Sequence, residues 1–375
     1  MSRMREQHAG EGDAGHISPA ALRAAEADAG FAPGEIHRVR VQYAIGALLR
    51  AQPLMAGSPL APKMLLRGSI SGLVVLKRLA PGADDPGFVH VTHSIHRRLA
   101  AHGFPVAELL ATKKGATALR LGGRTFEVLR FVAGKRCDRT PAQTREAGEA
   151  LGRYHALLGN AHDHLQGIGR TIGEPRTGVY HDDIRVRQSL ARLPSAIEGD
   201  DGKDLAARVG ALYEAAAARA RNTLAGSDAQ IVHGDWHPGN LIYRGDRIAA
   251  VLDHESAGIA PSMLDVANGA LQFSLTAEGP DPKRWPTAPD QGLLGAFLEG
   301  VRSGRAIVGS RGLSEEVWAA LPWLMAEALI AEAAIPIAGT GTFHGREPAT
   351  FLRMVARKSQ WFTDHAGDVL ALGTG

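Results

Sequence analysis

Two periods of hydrophobicity divide this chain. Met64-Leu-Leu-Arg67 and Leu73-Val-Val-Leu-Lys-Arg78 are short apolar runs on either side of Gly68-Ser-Ile-Ser-Gly72, a pattern that predicts two strands of an antiparallel sheet. Thr125-Phe-Glu-Val-Leu-Arg-Phe-Val-Ala-Gly134 reads as a further strand with a glycine exit. Leu241-Ile-Tyr243 and Ile248-Ala-Ala-Val-Leu252 flank Gly245-Asp246, which reads as a hairpin. Elsewhere beyond residue 140 the apolar positions recur at helical spacing, over 140–158, 293–301, 317–335 and 350–362. The expected fold class is α+β, with a small antiparallel sheet first and a larger, mainly helical part after it. Residues 1–35 hold Ala, Gly, Asp and Glu with few large apolar side chains, and are expected to be a mobile extension carrying a short helix capped by Ser18.

Length and charge refine this picture. The chain has 375 residues, beyond the usual single-domain range, so two lobes are expected, over 36–131 and 132–375. No run of about 18 unbroken apolar residues occurs, and the first residues do not form a hydrophobic signal core, so a cytoplasmic protein without a membrane segment is expected. Cys137 is the only cysteine, which excludes an internal disulfide and a thiolate metal cluster. Residues 1–137 carry 19 Lys+Arg against 10 Asp+Glu, whereas residues 138–375 carry 23 against 29. A basic first part suits a phosphate ligand. Nucleic-acid binding is not expected, because the basic residues are scattered, no zinc, helix-turn-helix or RNA-recognition motif accompanies them, and aromatics make up only 5%.

The chemistry concentrates in His233-Gly-Asp-Trp-His-Pro-Gly-Asn240 and Val251-Leu-Asp-His-Glu255. Phosphoryl transfer to a hydroxyl needs a carboxylate to orient the acceptor and take its proton, and oxygen ligands to hold Mg²⁺ against the nucleotide phosphates. Asp235 fits the first role. Asn240 stands five residues later, the offset that kinases use between the catalytic Asp and a metal-binding Asn. Pro238-Gly239 is a turn signal that lets both side chains point into one cleft, and Asp253 arrives at the end of the return strand, thirteen residues after Asn240. Glu255 is placed to support the metal through water. A single HxD or DxxxxN is commonplace, but three such elements in register are not.

These segments resemble the motif of the aminoglycoside phosphotransferase and choline kinase superfamily, HGDxHxxN followed by apolar-Asp-aromatic-Glu, with His254 at the aromatic position. The resemblance spans about residues 40–365, most specifically 231–268, and implies a bilobal protein-kinase-like fold. It makes Asp235 catalytic and Asn240 and Asp253 metal ligands, with His233, His237, Glu255 and Asp265 in support. Lys77, ending Val74-Val-Leu-Lys-Arg-Leu79, resembles the strand lysine that holds ATP α/β-phosphates. Backbone groups around Leu129 and Phe131 resemble the hinge that reads adenine, and Gly57 and Ser58, or the Gly68 to Gly72 turn, offer the phosphate loop. His155 matches the family's Leu-Gly-x-x-His helix, as a packing residue. In one respect the chain departs from the pattern: residues 89–102 hold no acidic residue where the fold usually carries a helix Glu to pair with the strand Lys, and Thr92 or His93 stands near that position. Lys77 is then oriented by a neutral residue or by an acid from elsewhere. His90, His93 and His96 recur every third residue, but with no nearby carboxylate and with Arg97-Arg98 following they are expected to form a polar helix face and not a metal site.

The implied activity is transfer of phosphate from ATP, or another nucleoside triphosphate, with Mg²⁺, to a small-molecule hydroxyl acceptor such as an aminoglycoside or another antibiotic. The alternatives are a metabolic kinase of the homoserine or choline kinase type, and a nucleotide-binding scaffold without turnover. Composition and motif do not set the oligomeric state.

Overall fold

The alternating runs of the first part build one antiparallel sheet. In the computed structural model, which describes residues 16–55, 57–159, 180–197, 200–277, 279–310 and 312–374, five strands lie in the order β1-β2-β3-β5-β4. They are β1 (Leu48–Leu54), β2 (Lys63–Gly68), β3 (Gly72–Arg78), β4 (Ala118–Leu121) and β5 (Arg124–Arg130). Because side chains alternate faces along a strand, Met64 and Leu66, Val74 and Leu76, and Phe126 and Val128 all come to one face, where they are completely buried. The register places Lys77 opposite Lys63 on one side and Glu127 on the other.

Two helices that precede the sheet, α1 (Pro19–Ala29) and α2 (Glu35–Arg40), pack Ala25, Ile36 and Val39 into the same core, with Phe31 from the connection between them. From residue 16 on, the expected mobile extension is therefore corrected; residues 1–15 lie outside the described part. Few large apolar groups were visible there, and carboxylates do the anchoring instead. Glu26, buried, accepts from the amides of Gly34 and Ile36 at 2.8 and 2.9 Å, and Glu35 accepts from Ala32 and from Arg78. Ser18 caps α1 as expected, accepting from Ala21 at 3.2 Å.

Contacts divide the chain into residues up to His93 with Ala107–Val132, and Ser94–Val106 with the residues from Ala133 on. The division falls inside α3 (Pro86–Ala101). The second unit contains α4 (Pro141–Gly159), α5 (Ile184–Ala196), α6 (Asp200–Leu224), two small sheets, α7 (Met263–Ser274), α8 (Gln291–Ile307), α9 (Glu315–Trp318), α10 (Leu321–Thr340), α11 (Pro348–Asp364) and α12 (Ala366–Thr374). In the small sheets β6 (Ala229–Val232) pairs with β9 (Gly258–Pro261), and β7 (Leu241–Arg244) pairs with β8 (Arg247–Val251) as the expected hairpin.

Helices α4 and α8 touch backbone to backbone. A Cβ added at Gly148 or Gly304 would stand 2.0 Å from the carbonyl oxygen of Phe297 or Glu149, and Gly152 and Gly300 are as tightly met. Side chains larger than hydrogen do not fit, so the pair forms a close-packed base for the segments built on it. Segment 315–340 is long and apolar enough to cross a membrane by composition, yet 78% of its apolar window is buried inside the protein. Its main helix α10 packs against α5, α6, α7 and α11 and is the core helix of the second unit.

Candidate active site

Four short strands of the second unit hold two loops, 233–240 between β6 and β7 and 252–257 between β8 and β9. The first is pinned from beneath by Asp265 on α7. Its carboxylate accepts from the amides of His233 at 2.6 Å and Gly234 at 2.9 Å and from His155 Nε2 at 3.0 Å, with His155 and Asp265 both fully buried. Gly234 has φ +80, a left-handed conformation that glycine takes without strain, and this bends the chain so that both amides face the one carboxylate. His233 donates from Nε2 to the carbonyl of Leu252 at 2.9 Å and accepts from the Asp235 amide at Nδ1. His155 is more than a packing residue: it holds the loop through Asp265.

Beyond Asp235 the chain turns as Pro238-Gly239 predicts. Residues Pro238–Asn240 form a single 3₁₀ turn, His237 Nδ1 accepts from Gly239 at 3.0 Å, and Asn240 returns to Asp235. Asn240 Nδ2 donates to the carbonyl of Asp235 at 3.0 Å and to Asp235 Oδ2 at 3.1 Å, so the acceptor Oδ1 of Asn240 takes no part in these two bonds. His237 Nε2 lies 3.5 Å from the same Oδ2. Burial works against the charged form of His237, but the hydrogen bond and charge of Asp235, with Glu332 and Asp253 further off, hold it above its ordinary value.

The hairpin brings Asp253 to this loop. Tyr243 donates to the Gln143 carbonyl at 3.0 Å and Gln143 donates to the Gly245 carbonyl, so β7 and β8 sit on α4. Leu252 is tied on both sides, its carbonyl to His233 and its amide to the Asn240 carbonyl at 2.9 Å. Asp253 follows directly with φ 57, a left-handed conformation uncommon for a non-glycine residue, though Asp adopts it more readily than most. Glu255 stands two residues on, in the turn His254–Ser256. His254 takes the aromatic position by stacking parallel to Tyr154 at 6.1 Å, and His233 and Trp236 complete the ring cluster.

In the first unit, Lys77 is only 5% exposed at the end of β3. Gly57, with φ +83, and Ser58 lie in the connection from β1 to β2, where Ser58 accepts from Leu60. The other glycine turn serves the fold: a Cβ at Gly68 would lie 2.2 Å from the Ile45 carbonyl oxygen. Leu129 pairs with Val75, and the amide of Phe131 is donated to the Leu73 carbonyl at 3.1 Å. The N–H of Phe131 is thus taken up by the sheet. The expected polar histidine face is corrected. His90 is exposed, but His93 and His96 are buried, His93 against Glu127 and Thr117 and His96 edge-on to His254.

A second carboxylate near Asp235 escaped the sequence reading. Glu332 on α10 accepts a hydrogen bond from Gln272 on α7, one turn beyond Asn268, which itself faces the Trp236 carbonyl. Burial pushes the Glu332 carboxyl up to about 7; Gln272 opposes the rise, the charge of Asp235 adds to it, and His237 offsets it. The hydroxyl of Tyr180 is raised by burial and feels Asp183, Asp235 and Glu332 as well. The signal was present in the sequence, since Glu327 and Glu332 are the only charged residues in Leu321–Thr340.

Comparison with known proteins shows the family and the fold. The model of the phosphotransferase enzyme family matches residues 66–308. The homoserine kinase of Caulobacter sp. (strain K31) is 29% identical over 183 residues, which cover 48% of this chain and 51% of that protein. The chain thus spans about half the length of that relative. The homoserine kinase of Methylobacillus glycogenes is 25% identical over 328 residues, covering 84% and 90%. Among solved structures, amicoumacin kinase hAmiN in complex with AMP-PNP, Ca²⁺ and Ami shares the fold with a TM-score of 0.60 at 12% identity, over 91% of this chain and 96% of that one.

Proposed function

Because the chain belongs to the phosphotransferase enzyme family, we propose that it transfers the γ-phosphoryl group of ATP to a hydroxyl of a small molecule, with Mg²⁺ as the divalent cation. The observation that carries this reading is the coupling of Asp235, Asn240 and Asp253 through two tied residues, His233 and Leu252. Asp235 orients the acceptor hydroxyl and takes its proton onto the carboxylate. Asn240 Oδ1 and the Asp253 carboxylate are hard oxygen donors, few in number, which suits a cation that also keeps water and phosphate oxygens. That cation would neutralise charge on the phosphates. Lys77 contacts the α/β-phosphates, the Gly57-Ser58 connection covers them, and Glu255 supports the cation through water. Transfer then needs positioning and charge complementarity and no covalent intermediate.

Titration calorimetry with AMP-PNP, with and without Mg²⁺, tests the metal site. Asp253→Ala is expected to lose the Mg²⁺-dependent part of the affinity, and an unchanged dissociation constant would remove Asp253 from that role.

The acceptor class this reading favours is an amino alcohol. A carboxylate at Glu332, close enough to feel Asp235, suits an acceptor that presents an ammonium beside its hydroxyl, and the curated relatives are homoserine kinases. The pH dependence follows. Glu332 ionises at about 7 in the folded chain against an ordinary 4.5, so between those values the folded protein holds a proton that the unfolded one has released. Stability contributed by this group is present at low pH and is lost as pH rises toward 7. Glu332→Gln is therefore expected to raise Tm relative to the parent at pH 8 but not at pH 4, while abolishing the fall in KM for a cationic acceptor as pH passes 7. An equal Tm difference at both pH values would contradict this role.

A further inference from the structure

Lys77 is only 5% exposed, so its ammonium depends on polar partners supplied by the elements around the end of β3. Helix α3 supplies no carboxylate, since residues 89–102 hold no acidic residue. The sheet does. In the register of β3 and β5, Lys77 stands directly opposite Glu127, and directly opposed residues of antiparallel strands project from one face with Cβ atoms about 5 Å apart. That face is the one away from Leu76 and Val128, so the pair is separated from the apolar core of the unit.

Glu127 is itself only 8% exposed, and its placement is fixed from the helix side. Its Oε2 accepts from His93 Nε2 at 2.9 Å, and His93 Nδ1 lies 2.8 Å from the Thr117 hydroxyl. A carboxylate oxygen accepts, so His93 Nε2 is the donor in this contact, and the contact of Nδ1 with Thr117 braces the ring from its other side.

We infer that Glu127 on β5 is the carboxylate that positions the Lys77 ammonium for nucleotide phosphates, and that His93, braced by Thr117, positions Glu127. The inference rests on the role of Lys77 given under the proposed function. Glu127 and His93 touch neither nucleotide nor acceptor; they act through Lys77. Removing the charge of Glu127 leaves the lysine buried beside a neutral amide, so its hold on phosphate weakens while the site for the base is untouched.

Four variants of the full chain, titrated with AMP-PNP plus Mg²⁺ and separately with adenosine, test this. Lys77→Met sets the reference. Glu127→Gln is expected to weaken AMP-PNP roughly tenfold or more, in keeping with loss of a charge-assisted bond, and to leave adenosine binding unchanged. His93→Gln is expected to do so by a smaller factor. The double exchange His93→Glu with Glu127→His returns the acid to the neighbourhood of Lys77 from the helix, and is expected to restore most of the AMP-PNP affinity that Glu127→Gln loses. A purely structural role for the pair predicts a lowered Tm with AMP-PNP and adenosine affected alike, and that outcome overturns the inference. So does Glu127→Gln binding AMP-PNP like the parent while Lys77→Met does not. If Lys77→Met binds normally as well, the role of Lys77 at the phosphates falls first, and the two failures are told apart.

Discussion

Replacing Asp235 with asparagine is expected to lower kcat by ~10²–10⁴-fold while nucleotide affinity stays near that of the parent, the range associated with loss of a general base. The carboxylate at this position is shaped by what surrounds it. Asn240 donates to Oδ2 and His237 Nε2 approaches the same oxygen, so Oδ1 is the atom that remains to meet an acceptor hydroxyl. An asparagine preserves the size of the side chain but cannot take the proton. Its amide nitrogen would also face donors from Asn240 and His237, so it must turn its carbonyl toward them and its NH₂ toward the acceptor. The loop itself should survive, because its ties run through the backbone amides of His233, Gly234 and Asp235. The measurement is steady-state kinetics together with AMP-PNP calorimetry, and near-normal turnover would remove Asp235 from its role.

The second large effect is expected at Asp265, through folding. Its carboxylate is fully buried and accepts from two backbone amides and from the His155 ring. Asp265→Ala removes all three acceptor contacts at once. Stranding buried donors, one of them a histidine paired to a carboxylate, costs about 3–5 kcal/mol. The parent and variant should differ by that amount in denaturant unfolding, and any folded variant should have lost activity because the His233 loop is no longer held. Asp265→Asn can satisfy one amide with its oxygen but opposes the other with its NH₂, and should fall between. A difference below about 1 kcal/mol for the alanine variant would mean that the loop is held elsewhere.

Much of the site could be read from the chain because its parts are contiguous. Asp235, Asn240 and Asp253 lie on one strand, turn and hairpin, and the turn residues Pro238, Gly239 and Gly245 announce how the backbone must bend. The alternation in β2, β3 and β5 likewise announced a sheet with one apolar face. What escaped depends on residues distant in sequence. Residues 16–35 looked too polar to fold, yet Glu26 and Glu35 spend their oxygens on backbone amides, a role that hydropathy cannot report. The missing helix acid was visible, but its counterpart Glu127 was hidden in an apolar strand, and only the pairing of β3 with β5 sets it opposite Lys77. Glu332 was one of two charges in an apolar helix, and only the packing of α10 on α7 brings it to Gln272. At Phe131 only the sheet pairing shows that the strand expected to carry the hinge also uses this amide, in its bond to Leu73.

The most direct test of phosphotransfer is to incubate the full chain with ATP and Mg²⁺ and a panel of homoserine and other amino alcohols, choline, sugars and aminoglycosides, and to seek the mass gain of one phosphate on each acceptor. The result expected is phosphorylation of an ammonium-bearing alcohol that requires Mg²⁺ and disappears in Asp235→Asn. Phosphate transfer that persists undiminished in that variant, or AMP-PNP binding without transfer to any acceptor of the panel, would contradict the account.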